Sequence, residues 1–368
     1  MTESRNATIT DQGARVDRLL TKMAAVGVDQ LLITAPLNVR YVSGFTGSHI
    51  RPNGACLIGP TTRLLAVDQG LFRFERQPET ETEGFDVLLG EDPVALLLPH
   101  VNQAVGFDDD HVTMSELTRW RALAADATFT PSGGLVEALR AVKDESELQA
   151  LRAASQLSDM VLEWLVEQGA TGRTEREVAL AIDGKMSELG AQGRAFDTRV
   201  LTGERAAEPH GMSEAVAIPP DQLVLVDFGC VLDGYCSDCT RMFTTGSIDA
   251  DMQQAVVLVS QAQQAGLAAA RAGMRGSDLD GVAREILAAA GFGEAFGHGL
   301  GHGVGLEVHE RPTLTPRSRD TLASRNVVSI EPGLYCAGSF GVRIEDLVVI
   351  TDDGAELLTH FPKDLLQL

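Results

Sequence analysis

The chain has 368 residues, of which 44% are hydrophobic, so it is long enough to bury a core in two domains or one large one. Its 52 Asp and Glu outnumber 30 Lys and Arg, which gives a formal net charge of −22 at pH 7. A net negative charge of this size repels phosphate backbones, so it argues against nucleic acid as a binding partner.

The N-terminal segment MTESRNATITDQGARVDRLL lacks the apolar region of a secretory signal, and no run of about 18 apolar residues occurs in the chain. We therefore expect a soluble cytoplasmic protein with no membrane partner. Five cysteines at low density fit reduced thiols. Cys236 and Cys239 form an isolated C-x-x-C. This motif leaves open a redox or zinc-binding role, and the simpler interpretation is two ordinary cysteines in strands.

The first part of the chain alternates a helical pattern with short apolar runs. A helix is predicted over residues 15–26, and the runs LLIT, ACLIG, RLLAVD, FDVLLG and AVGFD are candidate strands. This alternation predicts an α/β domain. The turn-forming stretch Pro-Ser-Gly-Gly that ends at Gly134 then separates it from longer helices. We predict domains at 1–133 and 134–368.

The second domain shows one order of elements twice. Capping-box pairs Asp144/Glu147 and Thr174/Glu177 begin two predicted helices, the second of which ends near Gly190, and strands are expected at 196–202 and 223–244. Further helices at 250–272 and 277–291 precede the candidate strands NVVSIE and GVRIEDLVVIT. Two helices followed by strands, repeated, indicate an α+β domain with duplicated halves.

A pair of aspartates lies on a predicted hairpin within LVLVDFGCVLDGYCSDCTRMFTT. The Asp-Gly dipeptide at 233–234 is typical of a two-residue turn, which places Leu232 opposite Tyr235. In this register Asp227 and Asp238 lie diagonally on one face, close enough for their carboxylates to share a cation. Asp227 also ends the apolar run LVLV, where a lone carboxylate is costly.

Two glutamates interrupt apolar strands in the same way. Glu331 closes NVVSIE, and Glu345 lies within GVRIEDLVVIT, where alternation places Arg343 on the same face. A buried salt bridge explains either glutamate alone. It does not explain four carboxylates that are each attached to an apolar strand.

The segment GHGLGHGVGLEVHE (297–310) carries His298, His302 and His309 among five glycines. It contains neither G-x-G-x-x-G nor H-E-x-x-H, so a phosphate loop and a zincin helix are excluded. The remaining interpretation is one metal-binding imidazole, with the others as proton carriers or oxyanion donors. One imidazole with four carboxylates suits Mn²⁺, Co²⁺, Fe²⁺ or Zn²⁺, and two such ions would balance the charge and activate water near neutral pH.

Taken together, DFGCVLDGYCSDCTR, HGLGHGVGLEVHE, IEPG and GVRIED resemble the motifs of the pita-bread metallopeptidases, which include prolidase, aminopeptidase P, methionine aminopeptidase and creatinase. The resemblance covers essentially the whole chain. DQLLITAPLNVRYVSGFTGS (29–48) resembles the creatinase-type N-terminal domain, and KDESELQALRAA resembles the start of the catalytic domain. AVDQGLFRFERQ (66–77) departs from the Asp-x-Arg-Tyr pattern of many relatives. The implied fold is a creatinase-type α/β domain followed by an α+β pita-bread domain with pseudo-twofold halves.

The resemblance also implies the role of each site residue. The two metal ions, Mn²⁺ first among the candidates, would be bound by Asp227, Asp238, His302, Glu331 and Glu345, with Asp238 and Glu345 bridging. Glu331 would also transfer protons and His309 would stabilise the oxyanion. His298, His210 and Arg343 would position the substrate.

The N-terminal domain favours the proline-specific branch, in which it mediates homodimer formation. We therefore expect cleavage of Xaa-Pro bonds in short peptides, with an Xaa-Pro dipeptidase favoured over aminopeptidase P. Arg311 is a candidate partner for the proline carboxylate, or equally an exposed loop arginine. A metal-free creatinase-like hydrolase and a non-catalytic binding protein remain alternatives, although both typically lack some of the five ligands.

Overall fold

The structure is a computed structural model that describes residues 3–46, 53–68, 70, 84–208 and 210–368. The chain divides into two compact units, Met1–Arg140 and Ala141–Leu368. This division lies just after the expected boundary at 133/134, because the short helix Glu137–Arg140 belongs to the first unit.

The N-terminal unit is an α/β domain, as predicted. Six of its described strands form one mixed sheet, in the spatial order Asp86–Gly90, Thr62–Asp68, Gly54–Gly59, Leu31–Ile33, Ala104–Phe107 and Thr128–Pro131. Phe107, Trp120 and Phe129 pack edge-on or tilted in its core. The elements are α1 Glu3–Ala25, β1 Leu31–Ile33, α2 Pro36–Ser43, β2 Gly54–Gly59, β3 Thr62–Asp68, β4 Asp86–Gly90, α3 Pro93–Leu97, β5 Ala104–Phe107, α4 Met114–Leu123, β6 Thr128–Pro131 and α5 Glu137–Arg140.

The predicted strands of this unit are all present, whereas the first helix is longer than predicted. It begins at Glu3 rather than residue 15, because a helix that is already nucleated extends through residues without an apolar stripe. Most of the segment 66–77 lies outside the described residues, as do positions 47 and 48 of the segment 29–48.

The C-terminal unit contains helices and strands in a repeated order. They are α6 Glu145–Gln168, α7 Glu175–Glu188, β7 Gly193–Arg194, β8 Arg199–Thr202, β9 Leu223–Phe228, β10 Cys230–Leu232, β11 Tyr235–Cys236, β12 Cys239–Thr244, α8 Ala250–Ala269, α9 Gly276–Ala289, β13 Gly301–Gly303, β14 Glu310–Leu314, β15 Val327–Ile330, β16 Gly333–Cys336, β17 Phe340–Arg343, β18 Asp346–Ile350, β19 Ala355–Leu357 and β20 Leu366–Gln367.

The two halves of this unit each combine a pair of helices with a sheet. Helices α6 and α7 share a core with the sheet β20-β12-β9-β8, and α8 and α9 share another with the sheet β14-β13-β15-β18-β19. Strand β9 is buried on both faces: Leu223 and Leu225 enter the second core, and Val224 and Val226 enter the first. Burial on both faces explains why the sequence of this strand is a continuous apolar run up to Asp227.

Both predicted capping boxes are present. At the start of α7, Thr174 Oγ1 accepts from the Glu177 backbone N–H at 3.2 Å, and Glu177 Oε2 accepts from the Thr174 N–H at 2.8 Å. Asp144 and Glu147 make the same reciprocal bonds at the start of α6. These contacts satisfy N–H groups that have no partner within the helix.

We expect Thr174→Ala to lower the free energy of unfolding of the C-terminal unit by about 1 kcal/mol, because the first turn of α7 loses a hydrogen-bond acceptor. Urea denaturation followed by circular dichroism measures the change. Ser187→Ala, an exposed substitution near the other end of α7, is the matched control and should be close to neutral. Equal midpoints for both variants would contradict the capping role.

The aspartate-bearing hairpin has the predicted register. Leu232 pairs with Tyr235, and the same register continues to Asp227, which lies opposite Thr240. Asp233 and Gly234 both have positive φ, as a type I′ turn requires. The ladder is interrupted near Gly229, where a Cβ would overlap the Ser237 carbonyl oxygen. The hairpin is therefore built of shorter strands than the sequence predicted.

The segment GVRIEDLVVIT forms two strands and not the single strand expected. Strand β17 pairs with β16, whereas β18 pairs with β15 in another sheet. Between them, Glu345 donates its backbone N–H to Thr240 O at 3.1 Å, and its carbonyl accepts from Arg241. Because β12 binds this backbone, Arg343 and Glu345 do not share one continuous strand face.

No helix in the described ranges is both long and apolar enough to cross a bilayer. The five cysteines are free thiols, and Cys236 and Cys239 lie buried in strands β11 and β12. Burial, with the nearby charge of Asp238, raises the pKa of Cys236 to about 12, so the thiol stays protonated at neutral pH.

Candidate metal centre

Five predicted ligands come together where the two halves of the C-terminal unit meet. Asp227 lies in β9, and Asp238 lies between β11 and β12. His302 lies in β13, and Glu331 directly follows β15. Glu345 occupies the link between β17 and β18. Each half therefore contributes ligands, and Glu345 of the second half is placed by hydrogen bonds to Thr240 and Arg241 of the first.

Asp238, His302 and Glu345 form the core of the cluster. One potential ligand atom from each lies within 4.8 Å of the other two. Ligand atoms about 2.0–2.2 Å from a first-row divalent ion lie up to about 4.4 Å apart, so these three are close to coordinating positions. His302 Nε2 is also 3.1 Å from Glu331 Oε1 and 3.6 Å from Asp238 Oδ2.

The orientation of His302 suits metal binding. Its Nδ1 lies 3.1 Å from the Gly303 carbonyl, which can only accept, so Nδ1 carries the hydrogen in the neutral ring. The Nε2 lone pair then points toward the carboxylates. Burial lowers the pKa of His302, but the hydrogen bond and charge of Glu331 outweigh burial and raise it overall. The negative carboxylates thus stabilise positive charge at Nε2, and a bound cation would supply that charge.

The carboxylates require a cation for the same reason. Burial, followed by the negative charges of Glu345 and Asp227, raises the pKa of Asp238 well above its usual value. Burial and the charges of Glu331 and Asp227 raise the pKa of Glu345 to about 8. Glu345 Oε1 is buried and has no hydrogen-bond partner among the described residues. Such a donor set fits divalent metal ions.

Glu331 differs from the other carboxylates. Although burial opposes ionisation, the hydrogen bond and charge of His302 lower the pKa of Glu331 to about 2. Ser329 Oγ also donates to Glu331 Oε1 at 2.9 Å. Glu331 is therefore a fixed, ionised carboxylate at the edge of the cluster.

Two arginines contact Asp227, and sequence reasoning identified one of them. Arg343 Nη2 donates to Asp227 Oδ2, and Arg199 Nη1 donates to the same oxygen at 3.3 Å. Arg343 Nε also donates to Thr240 Oγ1, whose own hydroxyl donates to Glu345 Oε2 at 2.8 Å. Arg343 and Thr240 thus fix two of the predicted ligands. The pairing of Arg199 with Asp227 across β8 and β9 was the signal that sequence reasoning missed.

Tyr335 links His298 to Arg343. Its hydroxyl oxygen accepts from Arg343 Nη1 at 2.9 Å and lies 2.8 Å from His298 Nε2. Because His298 Nδ1 faces the Gly299 carbonyl at 2.7 Å, the neutral ring accepts the Tyr335 hydrogen. Burial lowers the pKa of His298, which favours this neutral form. Sequence reasoning missed Tyr335, although a tyrosine hydroxyl shortly after Glu331 was a usable signal.

The other predicted residues lie farther from the cluster core. His309 is exposed, and its ring packs edge-on against His302 with centroids 4.2 Å apart. His210 is exposed, and no contact among the described residues joins it to the cluster. Arg311 has a side chain that is 70% exposed and lies 3.6 Å from Asp320 Oδ1, as an exposed loop arginine does.

The glycines of the histidine segment allow close backbone packing. A Cβ at Gly301 would overlap the Ser329 carbonyl oxygen, and one at Gly303 would overlap the Arg311 carbonyl. These contacts bring β13 against β15 and β14, with His302 between the two glycines. The glycines therefore place the imidazole beside Glu331.

Two family models match the chain. Residues 149–352 match metallopeptidase family M24, and residues 15–142 match the Creatinase/Prolidase N-terminal domain. The two matches correspond closely to the two compact units. The order of these domains agrees with the resemblance that the motifs indicated.

Individual relatives are similar over nearly the whole chain. An Xaa-Pro dipeptidase structure from Bacillus anthracis is 33% identical, with a TM-score of 0.92, and the match covers 97% of this chain and 100% of that one. An X-Pro aminopeptidase structure from Thermotoga maritima is 35% identical, with a TM-score of 0.86, and the match covers 95% of this chain and 100% of that one. The peptidase YqhT of Bacillus subtilis is 34% identical over 96% of this chain and all of its own length.

Proposed function

The chain belongs to metallopeptidase family M24, and on that premise we propose that it is a dinuclear-metal Xaa-Pro dipeptidase, or prolidase. The observation that carries the proposal is the buried cluster of Asp238, His302 and Glu345, whose ligand atoms lie within 4.8 Å of one another. The similarity to an Xaa-Pro dipeptidase over 97% of the chain supports the substrate class. Aminopeptidase P is the second candidate, because a similar structure carries that activity in its name.

The proposed ligands are Asp227, Asp238, His302, Glu331 and Glu345. Two divalent ions held there would lower the pKa of water and polarise the scissile carbonyl. We assign Mn²⁺ as the first candidate, with Co²⁺, Zn²⁺ and Fe²⁺ as alternatives, because carboxylate-rich sites with one imidazole accept all four.

Protein groups around the cluster supply the remaining steps. Glu331, which Ser329 Oγ holds at the edge of the cluster, would accept the proton of the attacking water. His309, the most exposed of the three histidines in its segment, donates to the oxyanion that develops on the scissile carbonyl. His298 is assigned to the substrate-binding side on the family resemblance, and its contacts with Tyr335 and Gly299 fix the ring in the neutral form.

The two remaining residues have different tasks in this proposal. Arg343 is engaged through all three nitrogens, so it positions Asp227 and Tyr335. His210, which the structure leaves at the surface, is assigned to the substrate-binding side on the family resemblance.

The activity test uses chelator-stripped protein with Ala-Pro and Ala-Pro-Ala, each with and without added Mn²⁺ or Co²⁺. Metal-dependent release of proline from Ala-Pro alone would establish a dipeptidase. Cleavage of the tripeptide between Ala and Pro, detected by mass spectrometry, would establish aminopeptidase P instead. Activity on neither peptide would refute proline specificity.

We expect Mn²⁺ to stabilise the chelator-stripped protein by about 2.7 kcal/mol at a concentration 100 times its Kd, because only the folded chain assembles the ligands. Differential scanning calorimetry measures the rise in Tm. Glu345→Gln should reduce this rise, whereas Glu356→Gln, at an exposed position, should leave it intact. An unchanged response in the Glu345 variant would contradict its role as a ligand.

Homodimer formation and a cytoplasmic location complete the proposal, and both derive from family resemblance and sequence composition. Sedimentation equilibrium at two protein concentrations tests the first. A monomer at both concentrations would refute it.

A further inference from the structure

A second arginine, Arg199, lies beside the metal centre and has no role in the family resemblance. It begins β8 and pairs directly with Asp227 across the sheet. Its side chain is 26% exposed, whereas those of Asp227 and Arg343 are 5% and 7% exposed. Arg199 is therefore the guanidinium on the solvent-accessible side of Asp227.

Arg343 is already committed to protein partners. Its three guanidinium nitrogens donate to Thr240, Tyr335 and Asp227 inside a buried environment. Withdrawing any of these bonds would leave a buried polar group without a partner. Arg343 is thus poorly placed to bind a substrate.

Arg199 makes fewer hydrogen bonds to protein groups than Arg343 does. Within the part of the chain that the structure describes, its side chain donates one long hydrogen bond, from Nη1 to Asp227 Oδ2 at 3.3 Å. Its Nε is buried and has no hydrogen-bond partner among the described residues. The guanidinium carbon lies 5.9 Å from the centroid of the Phe196 ring, which supports one side of the group. This leaves a guanidinium with unused hydrogen-bonding capacity at the site.

Charge balance indicates what kind of group Arg199 would bind. Four carboxylates surround the cluster, and two divalent cations would neutralise them. The charges of Arg199 and Arg343 would then be uncompensated in a partly buried space. Such a space favours an anionic ligand, although the chain as a whole is strongly acidic.

We propose that Arg199 binds a carboxylate of the peptide substrate, a role that rests on the proposed peptidase function. A planar guanidinium with free N–H groups fits a carboxylate through two parallel hydrogen bonds. The carboxylate can belong to the C-terminus of the dipeptide or to an acidic side chain of its first residue. The chemistry of recognition is the same for both sources, and the experiment separates them.

The variants are Arg199→Met, which removes the charge and keeps much of the stem, and Arg199→Lys, which keeps the charge without the planar fork. Arg194→Met is the matched control, because Arg194 lies on β7, which precedes β8 in the chain, with a side chain that is 51% exposed and ion pairs to Asp183 and Asp197. All proteins are full-length and loaded with Mn²⁺.

Binding is measured by calorimetry with non-hydrolysable isosteres in which carbon replaces the scissile nitrogen. The first mimics Ala-Pro with a free carboxylate. The second mimics Ala-Pro with a terminal carboxamide, and the third mimics Glu-Pro with a terminal carboxamide. Because no bond is cleaved, the result does not depend on turnover.

Arg199→Met should weaken binding of a carboxylate-bearing isostere by about tenfold to hundredfold, the loss expected for a charge-assisted hydrogen bond. Binding of the neutral isostere should change less than about threefold, and Arg199→Lys should restore part of the affinity. Loss for the first isostere identifies the C-terminal carboxylate, and loss for the third identifies an acidic first residue. Arg194→Met should match wild type throughout.

Equal weakening for all three isosteres would overturn the inference, since it would indicate a structural role. So would unchanged binding in Arg199→Met, or no binding of any isostere by wild type. Failure of the proposed function has a different signature: the isosteres bind as expected while Ala-Pro and Ala-Pro-Ala stay intact. In kinetics, the Arg199 effect should lie in KM for the carboxylate substrate rather than in kcat.

Discussion

Glu331→Gln is expected to lower kcat for the proline-containing substrate by about 10²–10⁴-fold, the range typical of a lost general base. The amide has the shape of the carboxylate but cannot accept the proton. The loss should persist at saturating substrate, because the missing step is proton transfer and not binding.

The fold should survive this substitution. Ser329 Oγ can still donate to the side-chain oxygen of the amide, at the position where it now contacts Glu331 Oε1 at 2.9 Å. Glu356→Gln, which removes an exposed carboxylate paired with Arg152, is the control and should retain wild-type turnover. Residual activity above about one tenth of wild type, in a variant that still binds metal, would reject Glu331 as the base.

Arg241→Met is expected to lower the free energy of unfolding by about 3–5 kcal/mol, the cost of removing one partner of a buried ion pair and leaving the other charge buried. The guanidinium is buried and donates to Asp346 Oδ1 at 2.7 Å and to the carbonyls of Phe361, Thr240 and Glu345. Methionine fills much of the space but leaves those oxygens with fewer donors.

Urea denaturation of the metal-free protein isolates this effect from ligand binding. Arg152→Met is the control, because Arg152 forms exposed ion pairs with Glu145 and Glu356 that contribute at most about 1 kcal/mol. The metal affinity of Arg241→Met should also fall, since Arg241 holds the backbone carbonyl of Glu345. A loss of stability similar to that of the control would contradict the buried network.

Local patterns were sufficient to predict most elements of the chain. The strand pattern of the N-terminal unit, the capping boxes of α6 and α7, and the Asp-Gly hairpin depend on residues close in sequence, and each was predicted correctly. Apolar runs that end in carboxylates also indicated the cluster, because burial of a charge is costly wherever it occurs.

Some features that depend on particular distant partners were not predicted. The segment from Gly341 to Ile350 divides between two sheets because Arg241, about a hundred positions earlier, binds the backbone at Glu345. Tyr335 and Arg199 acquire their roles only from partners on other strands. A pattern within a single segment carries no information about such partners.

Close backbone contacts at glycines restrict how this chain can diverge during evolution. Gly229, Gly301, Gly303 and Gly341 each face a carbonyl oxygen that any Cβ would overlap, at Ser237, Ser329, Arg311 and Ala206, respectively. In a saturation mutagenesis screen, these positions should be as intolerant as the carboxylates, although a glycine has no side chain to bind an ion or move a proton. Intolerance alone therefore does not identify the chemical groups of this site, and variants at the glycines are better scored by protein abundance than by turnover.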